Sequence, residues 1–153
     1  MEEVKVGDPA KDFTLKDQNG KGIMLSSFKG KKVLLSFHPL AWTAICAKQM
    51  QSLEANKETF DSLNTVALGM SVDTVPCKKA WAESLGIENI SLLSDFWPHG
   101  EVAKLYGIFR EEHGFSARTN IIVDEEQNIA FFKVYEPKTL PDINEIIDFI
   151  KNM

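Results

Sequence analysis

The stretch Val33-Leu34-Leu35-Ser36-Phe37-His38-Pro39-Leu40-Ala41-Trp42-Thr43-Ala44-Ile45-Cys46 decides how the rest of the chain is read. Its first five positions are almost wholly apolar, as expected of a central strand covered on both faces. Pro39 has no N–H to give to a sheet, so the strand stops there. A helical pattern then begins: Cys46, Met50, Leu53 and Phe60 recur at helical spacing, with Lys57 breaking the stripe. Thr43 is suited to cap that helix. A thiol in a first helical turn feels the positive end of the macrodipole and finds free backbone N–H groups. Both favour the thiolate, the form that reacts.

Working outward, the residues before this stretch predict a hairpin. Phe13-Thr14-Leu15 and Ile23-Met24-Leu25 flank Asp17 to Gly22, which carries an Asn-Gly turn signal. Beyond it, Val66 to Val72 reads as a second buried strand. Asp73 or Thr74 then caps a helix with Pro76 and Cys77 in its first turn, Trp81 and Leu85 on its apolar face, and Gly86 at its end. Leu92-Leu93 is a brief strand, Asp95 to Gly100 a loop, and Val102 to Tyr106 a short helix. Asn120 to Asp124 and Ile129 to Tyr135 form a second hairpin around Glu125-Glu126-Gln127-Asn128. Pro141 opens a last helix with Ile143, Ile146, Ile147 and Ile150 on one face. Alternating strands and helices imply an α/β fold with a mixed sheet covered on both faces. Ligands of such sheets sit beyond the carboxyl ends of the strands, where Cys46 falls. With no repeat, linker or low-complexity tract, residues 1–153 read as one domain.

Composition narrows the function. Of 153 residues, 44% are hydrophobic and 25% charged, the proportions of an ordinary globular protein with a sizeable core. A net charge of −5 argues against nucleic acid or an anionic membrane as partner. No apolar run is long enough for a bilayer, and no signal-peptide core follows Met1, so a cytoplasmic protein is expected. Two cysteines in a reducing compartment are no disulfide framework; they are packed residues or redox-active thiols. His38, His99 and His113 lack metal-ligand spacing to a cysteine and read as structural or exposed side chains, so neither metal nor cofactor is expected. Glu111-Glu112 and Glu125-Glu126 read as solvated turns.

The pattern Pro39-x-x-x-Thr43-x-x-Cys46 puts a hydroxyl three residues before the thiol, where both side chains can face one small volume. That hydroxyl can donate to, or accept from, a group bound at sulfur. Gln49 adds an amide able to hold a guanidinium or a backbone group, although a solvated helix position is its simplest reading. A dithiol reductase would need cysteine where Thr43 stands.

The stretch Phe37 to Cys46 resembles the peroxidatic-cysteine motif of the peroxiredoxins. Leu92 to Gly100, Tyr106-Gly107-Ile108-Phe109, Gly7 to Phe13, and Arg118 ahead of Asn120 to Asp124 resemble the AhpE-like subgroup. The resemblance spans nearly the whole chain. It implies a thioredoxin-like fold and reduction of hydrogen peroxide or organic hydroperoxides by a thiol, through a cysteine sulfenic acid. It further implies that Cys46 is the nucleophile, that Thr43 bonds thiolate and peroxide, and that Pro39 shields the sulfur from water. Arg118 would pair with the thiolate and the peroxide oxygen, and Gln49 would orient that arginine. A homodimer is expected from the same source, and exposed aromatics among Trp42, Phe96, Trp97 and Phe109 would suit its interface. Two departures stand out. His38 replaces the more common Tyr or Phe, which would alter the pocket rim. Cys77 has no counterpart in one-cysteine members.

Physical magnitudes say what each part must do. A thiol with a pKa of about 8.5 is only about 3% thiolate at neutral pH. A helix N-terminus contributes roughly 0.3–1 kcal/mol. An arginine about 4 Å away contributes up to about 4 kcal/mol at an effective dielectric near 20, before desolvation. Full ionisation still raises the rate only about 30-fold, and nucleophilicity falls with pKa. Fast turnover must therefore come from donors that stabilise charge on the departing oxygen. The sulfenic acid then needs a second thiol. Cys77 is either that resolving thiol, with its own acidity raised at a helix start, or a packed or surface residue; otherwise a redoxin or low-molecular-weight thiol serves. A peroxide sensor or holdase using the same cysteine, and a thiol–disulfide oxidoreductase, remain the alternative functions.

Overall fold

Alternation of apolar residues on the central strands sets the architecture. In a computed structural model that describes residues 2–153, β1 (Thr14–Lys16) and β2 (Gly22–Met24) form the expected hairpin. Then come β3 (Lys32–Phe37), α1 (Ala44–Ala55), α2 (Lys57–Ser62) and β4 (Thr65–Ser71). They are followed by α3 (Val75–Leu85), β5 (Ser91–Ser94) and α4 (Glu101–Leu105). The chain ends with β6 (Phe109–Arg110), β7 (Phe115–Ser116), β8 (Thr119–Val123), β9 (Ile129–Val134) and α5 (Ile143–Lys151). Among the described residues seven strands join in one sheet, ordered β2-β1-β5-β4-β3-β8-β9. β3, β4 and β5 run parallel, while β8 is antiparallel to β3 and β9 to β8. The mixed sheet flanked by helices is the one expected.

Side chains on successive strand residues point to opposite faces. Val33, Leu35 and Phe37 therefore join Leu68, Met70, Ile121 and Val123 in one core, closed by Val102, Ala103 and Tyr106 at α4. Leu34 joins Ala67, Leu92 and Ile122 in the other, under α1, α2, α3 and α5. Cys46 belongs to this second layer, with Met50 and Leu53 one and two turns on. No helix among the described residues is long and apolar enough to cross a membrane.

Three local expectations need correction, and one element carries no sequence signal. The stripe from Cys46 to Phe60 is two helices: the chain breaks at Asn56, whose Nδ2 donates to the Ser52 carbonyl. Pro141 does not open the last helix. Asp142 caps it, its carboxylate accepting from Asn144 N, as a short acceptor at that position should. The short helix before Tyr106 begins at Glu101 and ends at Leu105. The two-stranded β6–β7 ribbon went unforeseen; strands of two residues leave no periodicity to read. By contrast, Thr74 caps α3 by accepting from Cys77 N, and Gly86 ends it at φ +70°, a conformation glycine adopts without a Cβ penalty.

Gly69 sets how near α1 can lie to the sheet. A Cβ there would clash with the Met50 sulfur and stand 2.8 Å from Leu92 Cδ2. Both neighbours are wholly buried, so neither has free space to enter. We predict that Gly69→Ala lowers stability by about 1–3 kcal/mol. A fall in the urea midpoint without a change in slope would check it; an unchanged midpoint would show that α1 rides up freely.

Candidate active site

Sheet register explains how residue 118 reaches residue 46. Phe37 pairs with Thr119 and Ser36 with Asn120 across the antiparallel β3–β8 ladder. Arg118, one residue before β8, therefore arrives beside the end of β3, where the chain turns into α1. That turn is tied at several points. His38 N donates to the Met70 carbonyl, Ala41 N to Asp73 Oδ2 at 2.8 Å, and Thr43 Oγ1 to the Leu40 carbonyl at 2.8 Å. Trp42 sits in the left-handed region at φ +67°, a conformation costly for a bulky side chain and held by these ties.

Cys46 is 1% exposed and occupies the third position of α1. Its N–H, like the others of the first turn, has no intrahelical acceptor. Arg118 Nη1 donates to Cys46 Sγ at 3.3 Å and to Gln49 Oε1 at 2.8 Å. The other edge of the guanidinium is fixed on the Pro137 carbonyl, from Nη2 at 2.9 Å and Nε at 3.3 Å. Gln49 is buried, not solvated; its Nε2 donates to Ser36 Oγ at 2.7 Å and to the Phe37 carbonyl at 3.2 Å. Ser36 Oγ donates in turn to Asn120 Oδ1, Asn120 Nδ2 to Tyr135 Oη, and Tyr135 Oη to Glu145. With Nε2 facing the Phe37 carbonyl, which can only accept, the Gln49 amide faces one way and its oxygen meets the arginine. Sequence reading found Gln49 but missed Ser36, Asn120, Tyr135 and the Pro137 carbonyl. The available signal was a polar residue interrupting each of two apolar strands.

Thr43 stands at the N-cap with extended backbone, but its side chain does not cap. Its hydrogen is spent on Leu40, so its oxygen lone pairs are what it offers a ligand. Pro39, Thr43, Cys46 and Arg118 share a pocket of about 550 Å³, with Leu40 and Phe115 among its apolar walls. Cys77 lies in the first turn of α3, which follows β4 as α1 follows β3 on the neighbouring parallel strand. Its thiol is half-buried, and Sγ points to Asp73 Oδ1 at 3.9 Å. Burial pushes this thiol up, and the Asp73 charge pushes it further. The helix start therefore does not make Cys77 more acidic, because local burial and a carboxylate outweigh the dipole. His38 is not at the pocket rim. Its ring is wholly buried, 5.3 Å from the Trp81 ring, with Nε2 3.2 Å from Lys78 Nζ.

The family model for the AhpC/TSA family matches residues 6–132. The chain belongs to that family. It is a peroxiredoxin by its relatives as well: it is 40% identical over 140 residues to alkyl hydroperoxide reductase E of Mycobacterium tuberculosis, covering 91% of each chain. It is 32% identical over 152 residues to a thiol peroxidase of Streptococcus gordonii, covering 99% of this chain and 91% of that one. The reduced 2-Cys peroxiredoxin of Plasmodium vivax superposes with a TM-score of 0.86 at 26% identity, over 97% of this chain and 81% of that one. These likenesses bear out the thioredoxin-like fold and the peroxiredoxin resemblance.

For this peroxiredoxin, Gln49 is the test of the arginine's footing. We predict that Gln49→Leu leaves one guanidinium N–H without its acceptor and Ser36 Oγ without a donor, destabilising the fold by about 1–3 kcal/mol. Loosened placement of Arg118 should slow peroxide reduction by the protein roughly tenfold. Stopped-flow peroxide kinetics beside urea unfolding would check both; a wild-type rate in the variant would mean that Pro137 alone suffices.

Proposed function

We propose that the chain is a thiol-dependent peroxidase whose nucleophile is Cys46. The observation that carries this reading is the 3.3 Å bond from Arg118 Nη1 to Cys46 Sγ on the wall of a ligand-sized pocket. The thiolate attacks the terminal oxygen of a hydroperoxide. An S–O bond forms and the O–O bond breaks. The second oxygen leaves with the electron pair and takes up a proton, giving an alcohol or water, and Cys46 becomes a sulfenic acid. Arg118 and the Cys46 N–H stabilise charge on the oxygens as that bond breaks. Thr43, its hydrogen held by Leu40, accepts from the hydroperoxide O–H. Pro39 covers the sulfur against water. The apolar walls at Leu40 and Phe115 admit organic hydroperoxides as well as hydrogen peroxide.

A thiol then attacks the sulfenic sulfur, forming a disulfide and releasing water, and a second thiol frees Cys46. Cys77 serves as the resolving thiol in this scheme. Its place at the start of α3, beside the helix that carries Cys46, supports that role. The Asp73 contact means that it must first leave its present rest position. The cycle needs a reducing compartment, hence the cytoplasm, and a redoxin or low-molecular-weight thiol as partner. A homodimer is supported by Trp42, 57% exposed, and Trp97, 80% exposed, large aromatic surfaces that a second copy would cover.

Cys46→Ser should abolish peroxide consumption, and Arg118→Ala should slow it by about 10²–10³-fold. Sustained turnover with a panel of thiol donors separates an enzyme from a sensor, which would oxidise once and stop. For Cys77, mass spectrometry after one equivalent of peroxide should find a Cys46–Cys77 linkage within one chain. Persisting sulfenic acid beside a free Cys77 would assign resolution to an external thiol.

A further inference from the structure

The β6–β7 ribbon has no part in the reaction scheme above, yet it forms much of the cavity in which that reaction would run. Arg110, Glu112, His113, Phe115 and Ser116 line the same pocket as Cys46 and Arg118. That pocket holds about 550 Å³. Hydrogen peroxide, two oxygens each with roughly the 30 Å³ share of a water molecule, needs a small part of it. The remainder has the size of an organic ligand's site, and Phe115 is the ribbon's large apolar group on its wall.

Such a ribbon needs support. Its register pairs Phe109 with Ser116 and Arg110 with Phe115, and a two-stranded hairpin alone is marginal in water. Gly114, at φ +75°, closes the turn by donating its N–H to the Arg110 carbonyl at 2.8 Å. Support from outside comes from the loop before α4. His99 Nε2 lies 2.7 Å from the Gly114 carbonyl. A carbonyl only accepts, so Nε2 carries the hydrogen in either charge state of the ring. The same ring meets Phe109 edge-on, with centroids 5.9 Å apart, and Phe96 likewise at 6.2 Å. Gly100 makes room for Phe109, since a Cβ there would clash with its ring. The loop that carries His99 is itself fixed. The Asp95 carboxylate accepts from Val102 N and Ala103 N at 3.0 Å, and the Asp95 carbonyl from Gly100 N at 2.9 Å. One imidazole thus ties the turn of the ribbon to the start of α4.

We propose that His99 is a positioning residue for substrate specificity: it holds the β6–β7 ribbon as the wall on which the organic body of a bulky hydroperoxide lies, a wall that hydrogen peroxide does not need. The proposal rests on the peroxidase reading. The O–O group meets Cys46, Thr43 and Arg118 whichever peroxide is bound. Loosening the wall therefore weakens the hold on the organic part and leaves the bond-breaking groups alone. Loss of such uniform binding raises KM and spares kcat.

Reduction of hydrogen peroxide and of cumene hydroperoxide, measured side by side with one thiol donor, tests this. His99→Phe keeps an aromatic ring against Phe109 and removes the N–H. It should raise KM for cumene hydroperoxide about five- to tenfold, leave its kcat in place, and change the hydrogen peroxide kinetics by less than about twofold. His99→Gln, whose amide restores an N–H donor, should recover most of the loss. An equal effect on both peroxides, or none on either, would overturn the proposal, as would a glutamine variant no better than the phenylalanine one. Wild-type protein inert toward both peroxides would overturn the peroxidase reading and this proposal with it. A second measurement does not depend on how the variants fold. In wild-type protein, NMR titration with cumyl alcohol, the product of that hydroperoxide, should shift the Phe115 and Ser116 amides and the His99 ring. A titration that leaves the ribbon signals unmoved would overturn the proposal.

Discussion

One guanidinium nitrogen bonded at once to a sulfur and to an amide oxygen is the constraint on which this molecule is organised. Arg118 Nη1 cannot serve Cys46 alone, because Gln49 Oε1 is closer to it, at 2.8 Å against 3.3 Å. That asymmetry has a physical use. The amide and the Pro137 carbonyl fix the guanidinium before any substrate arrives, so its remaining attraction is aimed and costs no reorganisation during reaction. An arginine held only by the sulfur would follow the sulfur as it moved toward peroxide oxygen. Held by Gln49 and Pro137 as well, it keeps its place independently of the sulfur. The rest of the fold supplies the footing: the β3–β8 register brings residue 118 to residue 46, and Gly69 lets α1 lie close enough to meet it.

Much of this arrangement was legible before any coordinates. A continuous apolar run can only be a strand buried on both faces, and Pro39 can only end it. The Thr43 and Cys46 spacing and the block around Arg118 picked out side chains that the fold brings to one pocket. What escaped was non-local or polar. The β6–β7 ribbon is too short for a period. Asn56 breaks the α1–α2 stripe through its side-chain bond to Ser52, which no apolar pattern records. Gln49 reads as a surface residue by composition because glutamine usually is one; only the line Ser36, Asn120, Tyr135, Glu145 makes its burial affordable. Thr43 was right as a position and wrong as a capping side chain, since the Leu40 carbonyl competes for its hydrogen. Cys77 shows the limit of a dipole argument. A helix terminus acts weakly over one turn, and one carboxylate with partial burial reverses its sign.

Asp73 joins these parts in a way neither cysteine does alone. One oxygen holds Ala41 in the turn before α1; the other meets the thiol of Cys77. The carboxylate therefore holds the turn before α1 and favours the protonated form of the Cys77 thiol together. A resting enzyme of this kind keeps its two sulfur groups in different states: Cys46 faces a fixed cation, Cys77 a fixed anion. Disulfide formation between them requires that both contacts be given up, since two sulfurs must approach to a bond length that neither present partner permits.

The buried cations Arg118 and Lys78 differ in kind, and the difference follows from their chemistry. Arginine keeps its charge at every accessible pH, and its planar fork matches several acceptors at once, which suits its place on the pocket wall. Lysine is a point charge that burial can neutralise. Placed in the core beside His38, Lys78 keeps a hydrogen-bond partner through the loss of its proton, because imidazole can exchange the roles of acceptor and donor at Nε2. A phenyl or phenol at position 38 would lack the ring nitrogen that takes the ammonium hydrogen.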